Sequence, residues 1–316
     1  MDAGLLQAVQ GLVSAQGLNL LYVMKKPLRR DTLAVALSRY DRSQPSRTHS
    51  KKNAELLTLD EIRAGLKTGQ MEVYFQPKVN IAERRVVGAE CLARWRHPAR
   101  GLVTPDCFVS VIEDNGLIDE FTLVVFRMAV RQMALWKADG REFKISVNVS
   151  MDNLHRLALP DELVAILHEH GVSASSIMLE ITETRLAANL LQTMEVITRL
   201  RLKGFGLSID DFGTGYSTME NLKRIPFSEL KIDRAFVNGA DQDEQARAIL
   251  ESSVGLGKTF SLNMVAEGVE TQTDWDLVSY VGCHEVQGYF VARPMPAGDF
   301  VAWADEWNQD KLEHRQ

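Results

Sequence analysis

Leu207-Ser-Ile-Asp-Asp-Phe-Gly-Thr-Gly-Tyr-Ser217 is the stretch whose reading decides the fold. An apolar, strand-like run from Gly206 to Ile209 delivers two adjacent carboxylates, Asp210 and Asp211, and then breaks at Gly213 and Gly215. On an extended chain these neighbours point to opposite faces of a sheet. Unpartnered carboxylates this close repel each other, and one would have to take up a proton. A divalent cation removes the difficulty, because hard oxygens suit Mg²⁺ or Mn²⁺. The plainer alternative is that the pair only caps the following turn.

Working outward, acids recur at the same place in one strand after another. Met71–Val79 and Val86–Trp95 are expected strands, paired through the Glu83-Arg84 turn region. Val125, Met128, Ala129, Gln132, Met133 and Trp136 mark one stripe of a helix. Strands are then expected at Phe143–Val149, Ile177–Ile181, Gly206–Ile209, Glu229–Ile232, Ser261–Ala266 and Glu285–Phe290, with helices between them. Strands alternating with helices over about 250 residues indicate an α/β fold, a largely parallel sheet closed as a TIM-like (β/α)8 barrel. The barrel is assigned to residues 55–308, with a tail at 309–316.

In front of it, Asp41–Asn53 is polar and basic without large apolar residues, and a linker is expected at 42–54. Residues 1–41 read as helix, strand, helix, with Leu20-Leu-Tyr-Val-Met24 as the strand and Lys25-Lys26-Pro27 opening the second helix. That segment resembles the closing part of a two-component receiver domain, a partial receiver-like α/β segment. The resemblance implies that Lys26 corresponds to the phosphoryl-contacting lysine and that a sensor kinase is a partner of the full receiver. Helices that merely dock on the main domain are the alternative.

Composition narrows the function. A formal net charge of −6 argues against a general DNA or RNA binder. Cys91, Cys107 and Cys283 are far apart and odd in number, which suits a reducing compartment and no disulfide framework. His168 and His170 lie two apart on an expected helix and so face different ways. No run reaches the roughly 18 apolar residues of a membrane span. No signal-peptide pattern opens the chain, and a cytoplasmic location is expected.

Polar groups stand at one end of strand after strand: Glu90, then Asn148, then Glu180 and Glu183, then Asp210-Asp211, then Lys231, then Glu267 and Glu270, then Gln287. Buried charge inside apolar strands is costly unless paired or metal-bound. In a barrel the carboxyl ends of the strands converge on one mouth. Two hard cations with activated water would satisfy such an oxygen-rich cage, and that apparatus serves in-line attack on a phosphodiester.

Gly88-Ala-Glu-Cys-Leu-Ala-Arg-Trp-Arg-His-Pro98 resembles the signature of EAL-domain cyclic-di-GMP phosphodiesterases. Asp210-Asp-Phe-Gly-Thr-Gly-Tyr216, Leu230-Lys-Ile-Asp-Arg234, Ala266-Glu-Gly-Val-Glu270 and Gln287-Gly-Tyr289 match it too. The likeness covers about residues 55 to 305. It implies hydrolysis of cyclic di-GMP to linear pGpG with Mg²⁺ or Mn²⁺, and a homodimer through the barrel. By resemblance Glu90, Asn148, Glu180 and Asp210 hold one metal, while Asp210, Asp211 and Glu267 hold or approach the other. Lys231 meets the nucleophilic water or the developing phosphorane charge. Gln287 orients substrate or water, Arg94 grips a phosphate, and Gln76 and Leu92 line the substrate groove. Glu183 pins the Asp211–Ser217 loop, with Glu270 nearby.

Each residue has a plainer reading: a salt-bridged glutamate, a Lys231 that neutralises Asp233, an Asn148 that satisfies a turn. Together, in order, they favour the site. Cys91 replaces the motif alanine, and Thr218 stands where a second serine is frequent. Every expected carboxylate is present, which disfavours the alternative of a catalytically silent cyclic-di-GMP receptor. An enolase-type lyase would also use a lysine and Mg²⁺ carboxylates, but the Asp-Asp pair and Arg94 favour phosphodiester chemistry.

Overall fold

The computed structural model describes residues 57–182, 190–213 and 219–313. The receiver-like segment, the linker, Glu183 and Thr218 lie outside the described residues. The unit that begins at Thr58 opens with helix α1 (Leu59–Lys67). Thr58 and Glu61 form a reciprocal cap at its start: the Thr58 hydroxyl accepts from the Glu61 N–H and the Glu61 carboxylate accepts from the Thr58 N–H.

The strands are β1 (Met71–Asn80), β2 (Val86–His97), β3 (Gly101–Val103), β4 (Lys144–Asn148) and β5 (Ile177–Thr182), followed by β6 (Gly206–Phe212), β7 (Glu229–Ile232), β8 (Asn263–Ala266) and β9 (Glu285–Val286). Their order is β1-β9-β8-β7-β6-β5-β4-β2-β3, and a further β1–β2 pairing closes the ring. Eight strands thus form the TIM-like barrel, with β3 hanging outside on β2. Parallel pairing runs from β2 through β9, whereas β1 is antiparallel to both β2 and β9. The departure from an all-parallel barrel is forced locally, because a short turn after Asn80 can only return the chain as a hairpin.

Helices α2 (Val109–Asp114), α3 (Ile118–Ala138), α4 (Leu159–His170), α5 (Leu190–Leu202), α6 (Met219–Arg224), α7 (Glu244–Thr259), α8 (Gln272–Val281) and α9 (Ala297–Glu313) follow in chain order. Phe121, Val125, Ala129, Met133 and Trp136 form the buried stripe of α3. Trp136 meets Phe75 of β1 edge-on at 4.8 Å and Phe300 of α9 at 5.1 Å, so one aromatic cluster ties both helices to the antiparallel strand. Truncating such a ring costs about 3–5 kcal/mol.

Three expected strands are shorter than the pattern suggested, and of these Phe143–Val149 loses one residue at each end. The stretch Ser261–Ala266 begins only at Asn263, because Ser261 has φ 56° and belongs to the turn that ends α7. The expected strand Glu285–Phe290 stops at Val286, since the Gly288 carbonyl accepts from the Val291 and Ala292 N–H groups and turns the chain out of the sheet. That exit places Tyr289 at the mouth.

Candidate active site

Side chains two residues apart on a strand share a face. This stacks the barrel interior in layers, and the layer at the mouth holds Gln76, Glu90, Asn148, Glu180, Asp210 and Lys231. The register carries them there: Gln76 pairs with Glu90 across β1–β2, Asn148 with Glu180 across β4–β5, and Thr182 with Asp210 across β5–β6. Barrel interiors are ordinarily filled by branched aliphatic side chains. This one is polar.

Lys231, only 1 % exposed, is the hub. Its ammonium lies 2.7 Å from Glu267 Oε1, 2.8 Å from Glu180 Oε2, 3.0 Å from Asp210 Oδ1 and 3.4 Å from Glu90 Oε2. An ammonium has three protons to donate, so four carboxylates cannot all be served. Asp210 Oδ1 accordingly receives an ion contact without hydrogen-bond geometry and is left with no directed donor. Glu90 is held from three sides: Asn148 Nδ2 donates to its Oε1 at 2.8 Å, Gln287 Nε2 donates to its Oε2 at 2.7 Å, and Lys231 approaches Oε2. Gln287 Nε2 also donates to Gln76 Oε1, and Gln76 in turn donates to the Ala292 carbonyl.

Asp210 and Asp211 do not point to opposite faces as extended neighbours would. Asp211 has φ 54°, and the β6–β7 register slips between Ile209 and Phe212. Asp is among the few residues that enter the left-handed region readily. The bulge turns Asp211 back, so that oxygens of Asp210, Asp211 and Glu267 all lie within 4.8 Å of one another.

Charge in this cluster is poorly balanced. Burial, reinforced by Asp210 and Asp233, pushes the Asp211 carboxyl up to about 6. Burial pushes Glu267 up to about 8, against the pull of Lys231 and with help from Asp210 and Glu90. Glu180 is raised well above the carboxylate range by burial and the Glu90 charge. Burial would raise Glu90 as well, but Lys231, Gln287 and Asn148 outweigh it and hold the group below its ordinary value. Burial would lower Lys231, yet Glu180, Glu267, Glu90 and Asp210 together raise it strongly. Four carboxylates around one lysine, with Asp211 turned in beside them and one oxygen each of Asp210 and Glu180 left without a donor, are a donor set that fits divalent cations.

The cavity beside the cluster has a volume of about 480 Å³ and is lined by Gln76, Glu90, Leu92, Glu270 and Gln287 together with the three converging acids. A second cavity of about 530 Å³ adjoins it, and Leu92, Asp106, Asp210 and Asp211 border both. Asn148 faces the second. Glu180 is fully buried behind Lys231 and lines neither. Arg94 lines neither cavity; its guanidinium lies over the Tyr74 ring, 5.5 Å from the centroid, and donates to the Ala93 carbonyl. Cys91 is 2 % exposed and burial raises its thiol strongly, so it packs as a small apolar residue.

Sequence reasoning missed part of the site. Asp106, Asp233, Arg234 and Tyr289 line the cavity, and their places depend on turns that periodicity does not report. The buried pair Lys78 and Glu229, with ammonium and carboxylate 3.3 Å apart, was legible. Glu229 stands two residues before Lys231, and Lys78 two residues after Gln76 on the antiparallel β1, which places each one layer deeper on the same face.

A closed barrel whose mouth gathers acids, a lysine and three amides around a cavity defines a class built to act on an anionic substrate with cations. The profile of the EAL domain matches residues 59–294, and the chain belongs to the EAL domain family. It is similar to the cyclic di-GMP phosphodiesterase RocR of Pseudomonas aeruginosa, with 34% identity over 95% of this chain and 77% of that protein. It is also similar to the bifunctional diguanylate cyclase/cyclic di-GMP phosphodiesterase MucR of the same organism, with 38% identity over 81% of this chain but only 38% of that longer protein. Among solved structures, the PaMucR phosphodiesterase in complex with c-di-GMP is 39% identical, with a TM-score of 0.73 over 77% of this chain and 98% of that one.

Proposed function

We propose that this chain is a cation-dependent phosphodiesterase that hydrolyses one 3′–5′ phosphodiester of cyclic di-GMP to linear pGpG. The observation that carries the reading is the convergence of Glu90, Glu180, Asp210 and Glu267 on Lys231 at the barrel mouth, with Asp211 turned in beside them. The names of the similar phosphodiesterases and of the cyclic di-GMP complex support the substrate. Two adjoining cavities that meet at Leu92 and Asp106 suit an elongated ligand with a base at either end.

Asp210, Asp211 and Glu267 would hold one Mg²⁺ or Mn²⁺, and Glu90, Asn148 and Glu180 would share Asp210 with a second. Bound there, the cations supply neutralising charge to the phosphate and lower the pKa of the attacking water. The protein's own part is positioning and proton transfer. Lys231 donates to the charge that develops on the phosphate oxygens, and a carboxylate of the Asp210, Asp211 and Glu267 cluster takes the proton of the attacking water. A water oxygen–phosphorus bond forms as the bond to the 3′ oxygen breaks, and Gln287, anchored on Gln76 and Glu90, fixes the geometry. Arg94 steadies a phosphate from the rim, and Glu270 borders the groove. Glu183 would restrain the loop after Asp211, so Glu183→Ala lowers turnover.

Incubation with cyclic di-GMP and Mn²⁺ and detection of product by mass tests the reading: pGpG appears with Mn²⁺ and fails to appear with Ca²⁺, which is larger and coordinates more loosely. Intact substrate under both conditions overturns it.

The wider organisation follows the same reading. The resemblance of residues 1–41 to the closing part of a receiver domain carries the proposal of a receiver-like segment joined through 42–54 to the barrel, with a sensor kinase as partner of a complete receiver. The barrel pairs as a homodimer, and the protein works in the cytoplasm without binding DNA. Among the described residues no helix is long and apolar enough to cross a membrane.

A further inference from the structure

Beneath the mouth lies a second polar layer that the catalytic reading does not use. Lys78 of β1, 3 % exposed, donates to Ser146 Oγ of β4 at 2.5 Å and to Glu229 Oε1 of β7 at 3.3 Å. Its ammonium also stands 3.7 Å from Glu180 Oε1, while Lys231 donates to Glu180 Oε2 at 2.8 Å. The two oxygens of one fully buried carboxylate therefore face lysines from two different strands: Lys231 donates to Oε2, while Oε1 has no hydrogen-bond donor and only the charge of the Lys78 ammonium across 3.7 Å. Glu229 is itself fixed, since Asn263 Nδ2 donates to its Oε2 at 3.2 Å. Removing an ammonium and a carboxylate from water is expensive, and an isolated ion pair in a core is often replaceable by apolar packing. A pair set within contact distance of a proposed cation ligand has a further use.

We propose that Lys78 is a positioning residue for Glu180: anchored by Ser146 and Glu229, it steadies one oxygen of that carboxylate from the barrel interior so that the group meets a divalent cation at the mouth in a fixed orientation. This rests on the reading of the site as a cation-dependent phosphodiesterase. Lys78 touches neither substrate nor cation. It acts through Glu180, and partners that orient a ligand in this way are worth about 10–100-fold in metal affinity.

The test is calorimetric titration of Mn²⁺ into the metal-stripped full chain, so the readout does not depend on turnover. The double variant Lys78→Met/Glu229→Gln removes one positive and one negative charge together, keeps the local net charge, and leaves no lone ion in the core. It is expected to bind Mn²⁺ at least about tenfold more weakly than the parent. Ser146→Ala, a change of one hydroxyl, weakens binding in the same direction by a smaller factor and decides the matter if the double variant does not fold. Mn²⁺ affinities within twofold of the parent in the variants that fold overturn the assignment to Lys78. A parent chain that takes up no Mn²⁺ overturns the cation reading itself, and this inference with it.

Discussion

Asp210 and Asp211 are adjacent in sequence yet present their carboxylates to one cavity, because Asp211 leaves the extended region for φ 54°. The bulge does what regular strand geometry forbids, since a straight β6 would send one of the two acids to the outer face of the sheet. Both the side chain and the backbone conformation of Asp211 are thus needed at this position.

Asp211→Asn separates the two requirements. Asparagine also tolerates the left-handed region, so the variant should keep its melting temperature within a few degrees. Its turnover of cyclic di-GMP should fall by about a hundredfold or more, the scale expected when one charge-stabilising group is removed from a site. A product-formation assay at saturating Mn²⁺, with a melting curve on the same sample, checks both halves.

Lys231→Met removes the cation around which Glu90, Glu180, Asp210 and Glu267 are gathered. Buried carboxylates left without their partner cost about 3–5 kcal/mol. Denaturant unfolding of the metal-stripped variant should show a loss of that size at pH 8 and a smaller one at pH 6, where Glu267 carries a proton. Saturating Mn²⁺ should return part of the stability, while turnover remains lost.

Stability should depend on pH in a defined sense. Glu267 is raised from an ordinary 4.5 to about 8 and Asp211 from 3.8 to about 6, mainly by burial. The folded, metal-stripped protein therefore binds more protons than the unfolded chain between those limits. The stability these two groups contribute is full below their unfolded values and is lost as pH rises through about 6 for Asp211 and about 8 for Glu267. Cations compete with the same protons, so the rise in melting temperature caused by Mn²⁺ should be larger at pH 8.5 than at pH 5.5. Melting curves with and without Mn²⁺ across this range give the answer, and an equal rise at both ends contradicts the assignment.

Gly288→Ala tests how the exit from β9 aims Gln287. A Cβ at Gly288 would meet the Val269 carbonyl oxygen at 2.1 Å, and that atom is backbone that cannot swing aside. Overpacking of this kind costs about 1–3 kcal/mol. The strand end would shift and carry Gln287 away from Glu90 and Gln76, so the variant should melt lower and turn over more slowly even when Mn²⁺ is saturating.

The alternation of apolar strands with helical stripes was enough to place the barrel, since burial against a common core imposes period 2 on one element and period 3.6 on the other. The acids at the ends of those strands were legible for the same reason: a charged group inside an apolar run has to be accounted for. Reading two residues back from Lys231 and two residues on from Gln76 would have reached Glu229 and Lys78 as well. Tertiary structure alone decided three things. It set β1 antiparallel against β9, a pairing of distant strands that closes the barrel and that the local β1–β2 hairpin does not fix. It folded Asp211 back beside Asp210 through a left-handed residue, a local strain that pattern does not encode. It also set Lys231 among four carboxylates from different strands, because which distant charges meet depends on barrel closure and register, and neither is a property of any single stretch of chain.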